Sequence, residues 1–143
     1  MKTVKQILDS KGHDVWSISA QESVFDAIRL MAEKQIGALL VMDKGRLVGI
    51  VTERDYARKV VLEGRSSRET AVRQIMESNV LCVGPEQTVE ESMALMTEKR
   101  VRHLPVLNAK NDVEGIISIG DLVKAIIAEQ KFIIEQLVHY ITG

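Results

Sequence analysis

Residues Val15–Asp43 lie over Val80–Asn108 at a constant offset of 65, and after one inserted residue Gly49–Val60 lie over Gly115–Ile126 at an offset of 66. Identical pairs include Val24/Val89, Met31/Met96, Leu39/Leu104, Val41/Val106, Gly49/Gly115, Ile50/Ile116 and Asp55/Asp121. Upstream, V-K-Q-I-L-D-S (Val4–Ser10) matches V-R-Q-I-M-E-S (Val72–Ser78) at an offset of 68. Chance does not give three collinear blocks in a chain this short, and self-similarity of this kind constrains a fold before any single motif does. The chain reads as two copies of one supersecondary unit, residues 1–66 and 67–128, with an extension over 129–143.

Both copies give the same coarse reading. A short amphipathic helix opens each one (Val4, Ile7 and Leu8; Val72, Ile75 and Met76). A brief strand follows at Val15–Ile18 and Val80–Val83. Ser23 and Thr88 then stand where helix N-caps belong. The helices after them carry Val24, Ala27, Ile28 and Met31, or Val89, Met93 and Met96, at helical spacing. Two apolar strands around a turn come next: Ala38–Met42 and Leu47–Val51 about Asp43-Lys44-Gly45, then Leu104–Leu107 and Val113–Ile117 about Asn108–Asp112. Pro105 falls at a strand start, where a missing N–H is tolerated; its counterpart is Leu40. A helix closes each copy, over Arg54–Glu63 and from Gly120 onward. Each copy is therefore α-β-α-β-β-α. Its small sheet is apolar on both faces and needs a cover. The sister copy supplies one, so the expected fold is α/β with two pseudo-twofold related repeats and equivalent clefts between them.

Composition narrows the function classes. Hydrophobic residues make up 45% of the chain and charged ones 27%, ordinary for a globular protein with a real core. Cys82 is the one cysteine, so an internal disulfide and a cysteine-based zinc site are excluded, and it reads as a small buried apolar residue in a short strand. No apolar run reaches the ~20 residues of a membrane span, and the first residues lead into no secretory h-region. The expectation is a cytoplasmic protein. A net charge of -1 with one Trp, two Tyr and two Phe argues against nucleic acid as a partner. His13 and His139 have no companions at metal-ligand spacing.

Thr52-Glu53-Arg54-Asp55 and Ser118-Ile119-Gly120-Asp121 occupy one place twice, strand end to helix start. A hydroxyl residue followed three positions later by an acid is a capping box. The same geometry suits a nucleotide: the hydroxyl and the free N–H groups of a helix start can hold a phosphate, and the carboxylate can accept two hydrogen bonds from a ribose diol. Both uses can share one site. No nucleophile, base or metal constellation accompanies the acids, and the common enzyme motifs are absent, so no enzyme is expected.

The order V-x-x-A-x-x-L-M (Val24–Met31), I-G-A-L-L-V-M-D (Ile36–Asp43) and L-V-G-I-V-T-E-R-D (Leu47–Asp55) resembles a CBS domain. V-R-H-L-P-V-L-N (Val101–Asn108) with E-G-I-I-S-I-G-D-L (Glu114–Leu122) is the nearer match, and the resemblance covers residues 4–128. It implies a regulatory module that binds AMP, ADP, ATP, NAD or S-adenosylmethionine in clefts between the repeats, forms a homodimer and acts on a further protein. It also implies site residues. Asp55 and Asp121 would bind the ribose hydroxyls, and Thr52 and Ser118 the phosphate or ribose. Trp16 and Ile18 with Ile36, Gly37 and Ala38, and Leu81 and Val83 with Val101, would enclose the base, next to Ile50 or Ile116. Arg102 and His103 would contact phosphate, as guanidinium geometry allows. The first copy has Gly37-Ala38 at those positions, and Arg54 stands opposite Gly120, so the two clefts are expected to differ in charge. A structural dimerisation module whose acids only cap helices is the alternative.

The closing helix of the second copy outruns the repeat. Ile119, Leu122, Val123, Ile126, Ile127, Ile133, Ile134, Leu137, Val138 and Ile141 sustain a helix-period stripe. A stripe of this length either packs along the back of its own module or, the favoured expectation, marks a contact between subunits.

Overall fold

The structure, a computed structural model, describes residues 2–142. It is α/β and falls into two compact units, residues 14–81 and residues 1–13 together with 82–143.

In the 14–81 unit, β1 (Ser17–Ser19) pairs parallel with β2 (Ala38–Asp43), which pairs antiparallel with β3 (Arg46–Thr52). Lys44 and Gly45 both take positive φ, 51° and 78°, the handedness a tight hairpin turn needs to match twisted strands. Between β1 and β2 runs α2 (Val24–Lys34), capped by Ser23, whose hydroxyl accepts the Asp26 N–H at 3.1 Å. Val24, Ala27 and Met31 of α2 pack on Leu39, Val41 and Val51 of the sheet to form the core. The first strand starts two residues later and ends one residue later than the sequence suggests, and the Leu40 N–H bonds the Trp16 carbonyl at 3.3 Å just ahead of it. The closing helix also differs. It starts at Glu53 as α3 (Glu53–Tyr56), then widens into a π turn over Ala57–Val61.

The second unit repeats the plan. α4 (Val89–Lys99) is held by a complete capping box between Thr88 and Glu91. β4 (His103–Leu107) and β5 (Val113–Ser118) form the hairpin, and α5 (Ile119–Thr142) follows. The hairpin bulges between Val106 and Leu107 where β2 bulges between Val41 and Met42, the same step of the repeat.

Each unit borrows a piece of the other repeat. α1 (Val4–Lys11) opens the first repeat but packs on β5 and α5. The matching segment of the second repeat packs on the β2–β3 hairpin, where Glu77 exchanges two backbone hydrogen bonds with Ile50, at 2.8 and 3.0 Å. The two contacts use equivalent residues. A Cβ on Gly115 would stand 2.7 Å from Leu8, and one on Gly49 would stand 2.7 Å from Met76. The paired glycines are therefore notches for the incoming side chains.

Two elements expected in the second copy are reduced, for identifiable reasons. The helix of Val72, Ile75 and Met76 is a single 3₁₀ turn, Val72–Gln74. Thr3 caps α1 by accepting the Gln6 N–H, with the Gln6 side chain bonding back. Ala71 replaces that threonine, so only the return bond from its N–H to Gln74 survives, at 2.8 Å, and half of the box is gone. The strand expected at Val80–Val83 is one bridge, Val83 to Val106. Pro105 lies inside β4 and is buried; it has no N–H for the ladder bond that Leu40 makes in the first copy. Cys82 is accordingly half-buried in strandless chain, and burial raises its thiol pKa.

Candidate functional site

Both acids close capping boxes. Thr52 and Asp55 bond reciprocally: the Asp55 carboxylate accepts the Thr52 N–H at 3.0 Å and its hydroxyl at 3.1 Å, and the Thr52 hydroxyl accepts the Asp55 N–H at 3.2 Å. In the other unit Asp121 accepts the Ser118 N–H at 2.8 Å, and the Ser118 hydroxyl accepts the Asp121 N–H at 3.2 Å. The side chains of Asp55 and Asp121 remain 16% and 19% exposed.

A lysine meets each carboxylate, and neither lysine belongs to a motif the sequence displays. Lys59 Nζ lies 3.2 Å from Asp55 and donates to the Ile75 carbonyl at 2.9 Å. Lys11 Nζ lies 2.7 Å from Asp121 and donates to the Ile116 carbonyl at 2.9 Å. Burial works to raise the Asp121 pKa, but the Lys11 ammonium and the Ser118 N–H outweigh it and hold the carboxyl below its ordinary value.

The surroundings are built alike. Glu53 donates its N–H to the Gly37 carbonyl at 3.1 Å, and Ile119 donates to the Arg102 carbonyl at 2.9 Å. Each bond ties a helix start to the segment before the second strand. Ala38 pairs with Thr52 in register, and His103 pairs with Ser118. His103 has no ionisable counterpart in the first copy. Burial lowers its pKa, with Lys11 and Arg102 adding to that and Asp121 opposing it.

The remaining expected site residues are distributed unevenly. In the 14–81 unit, Ile36 and Gly37 line a concavity of about 600 Å³ together with Ile28, Met31, Glu53 and Tyr56. Glu53 lies within the acid motif and Tyr56 directly follows it, and neither is among the lining residues expected from the sequence. Ile18 lines a separate hollow of about 400 Å³, with Ser17, Ser19 and Asp26. Trp16 is exposed, and the Lys34 ammonium lies 4.2 Å from its ring centre. Ala38 and Val83 are buried, while Ile50, Leu81, Val101 and Ile116 are half-buried. Arg54, Arg102 and Gly120 are exposed. His13 is tied to the Glu114 carbonyl at 2.9 Å and to Asp9 at 3.3 Å. Among the described residues no helix is long and apolar enough to cross a membrane.

The family model of the CBS domain matches this chain twice, over residues 4–62 and 72–128. The chain is 39% identical to the mitochondrial CBS domain-containing protein CBSX3 of Arabidopsis thaliana, over 99% of its own length and 72% of the relative's. A solved protein with CBS domains from Burkholderia ambifaria is 56% identical, with a TM-score of 0.87, covering 90% of this chain and 96% of that one. A hexameric CBS-CP12 protein from bloom-forming cyanobacteria is 31% identical, with a TM-score of 0.76, covering 85% of this chain and 66% of that one.

Proposed function

Because the chain belongs to the CBS-domain family, whose paired domains are generally regulatory, we propose that it is a sensor of adenine nucleotides (AMP, ADP, ATP or NAD) that passes its occupancy to a partner protein or through its own dimer. The observation carrying this reading is the duplicated helix-start carboxylate, partly exposed, with a hydroxyl and a lysine beside it in both units. A ribose diol donates two hydrogen bonds to such a carboxylate. At Asp121 it competes with Lys11 for the acid, so ligand binding and the hold on α1 are linked. The response then equals the difference in ligand affinity between the held and released arrangements.

A thermal-shift panel of AMP, ADP, ATP, NAD and NADP tests the proposal, with the Asp55→Ala/Asp121→Ala protein as control. At least one nucleotide raises the parent's Tm and leaves the double variant unmoved. NADP binds worse than NAD, because the acid repels a phosphate on the 2′ oxygen. Equal affinities for the two, or no shift with any nucleotide, would sink the diol role.

One observation favours a second reading, a structural module without ligand: both capping boxes are complete as they stand. On that reading the double variant loses about 0.5–2 kcal/mol per cap and no nucleotide moves the parent.

A further inference from the structure

The edge of β5 that faces away from β4 meets side chains from the end of α1. Lys11 Nζ donates to the Ile116 carbonyl at 2.9 Å, and His13 Nδ1 lies 2.9 Å from the Glu114 carbonyl, two residues earlier on the same edge. The matching edge of β3 is closed differently, by the backbone exchange between Ile50 and Glu77. The other ring nitrogen of His13, Nε2, lies 3.3 Å from the Asp9 carboxylate. Both nitrogens therefore face acceptors. A neutral imidazole carries one N–H and leaves one of the two contacts without a donor, whereas the imidazolium donates to both.

We propose that His13 is a proton-operated latch: its imidazolium fastens the end of α1 to the edge of β5, and loss of the proton loosens it. The groups around the ring favour the cation. Asp9 of α1 and Glu114 of β5 are both acids. Lys5 is 3.6 Å from the second oxygen of Asp9, and the charge of Lys11 is met by Asp121 of α5 at 2.7 Å. The bond to the Glu114 carbonyl, and then the bond to Asp9, raise the His13 pKa above its ordinary value. The side chain is 49% exposed, so protons reach it from solvent. With the docked value raised, the fastening is fully present below the ordinary imidazole range and is lost as pH rises through the docked value. His13 follows the last turn of α1, which carries Lys11, so its proton governs how firmly Lys11 is held on Asp121. The latch works in the ligand-free chain and does not depend on nucleotide binding.

Side-chain NMR titration of the full chain tests the proposal, with the ring signals assigned from the His13→Gln and His103→Gln spectra. The His13 pKa lies above that of the same histidine in a short peptide, and Asp9→Asn lowers it. Amide hydrogen exchange then reads the fastening itself. His103 titrates in the same range beside Lys11 and Asp121, so both proteins compared carry His103→Gln. Protection of the amides of residues 8–12, corrected for intrinsic exchange, falls about twofold or more as pH rises through the His13 value. With His13→Gln added it stays level, and protection of α4 stays level in both. A His13 pKa at or below the peptide value, a pKa indifferent to Asp9→Asn, or a protection step that persists without His13 would each overturn the latch.

Discussion

Asp55 and Asp121 hold equivalent places in the two repeats, yet the lysines that meet them are not equivalent. Lys59 sits one turn beyond Asp55 on the π-widened turn, and the position matching it in the second repeat is Ala125. Lys11 comes from α1, 110 residues away from Asp121, and the position matching it is Asn79. One acid is therefore balanced by its own helix and the other by a borrowed element. The duplicated feature is the charge arrangement, not the residue that completes it. A change at Asp55 stays local, whereas a change at Asp121 reaches the docking of α1.

The largest expected effect probes that docking. Leu8 is 1% exposed and seated over Gly115, so Leu8→Ala costs about 2–5 kcal/mol of unfolding free energy. Its counterpart Met76 is only half-buried, and Met76→Ala costs about 1–2 kcal/mol. Equal losses by urea titration would erase the contrast between the two contacts.

Ser92 should respond with the opposite sign. It stands where the first repeat has Ala27, fully buried, with no hydrogen-bond partner for its hydroxyl among the described residues. Ser92→Ala gains about 1 kcal/mol by removing an unpaired buried polar group. A loss in the same titration would mean that the hydroxyl is satisfied.

Lys11→Met sharpens the comparison of the acids. The folded Asp121 carboxyl titrates below its unfolded value, so its contribution is present above the ordinary carboxylate range and disappears as pH falls through the folded value. The pair is partly exposed, which limits the loss in Lys11→Met at neutral pH to about 1 kcal/mol. The variant also loses less stability on acidification than the parent does. An unchanged acid limb would remove the account of Lys11.

The smallest effect concerns His103. Its folded pKa is lowered, so the unfolded chain takes up the proton first, and stability falls as pH drops below the unfolded value of about 6.5. His103→Gln flattens stability against pH just below that value, where Ala38 in the first repeat has nothing to titrate. A slope that survives the substitution belongs to another group.

Much of the fold is legible in the sequence because it rests on local rules: hairpin turns, N-caps and helical spacing each act within a few residues. The failures are also local in origin. Ala71 and Pro105 each delete one hydrogen bond from a pattern that the surrounding residues still spell, so matching the second copy to the first overstated its opening helix and first strand. The acids were visible because they recur. Their lysines were not: Lys59 depends on the path of a π turn, and Lys11 on a contact across most of the chain, in positions the repeat does not duplicate.

The crossing of opening segments bears on how such a chain can be divided. A cut between residues 62 and 72 would separate the two repeats while giving each fragment the other's missing plug: one would carry Gly49 without Met76, the other Gly115 without Leu8. Neither half is self-sufficient, but each holds what the other lacks, so the severed fragments should reassemble when mixed. A single copy inherited by itself would need a second molecule to fill its notch.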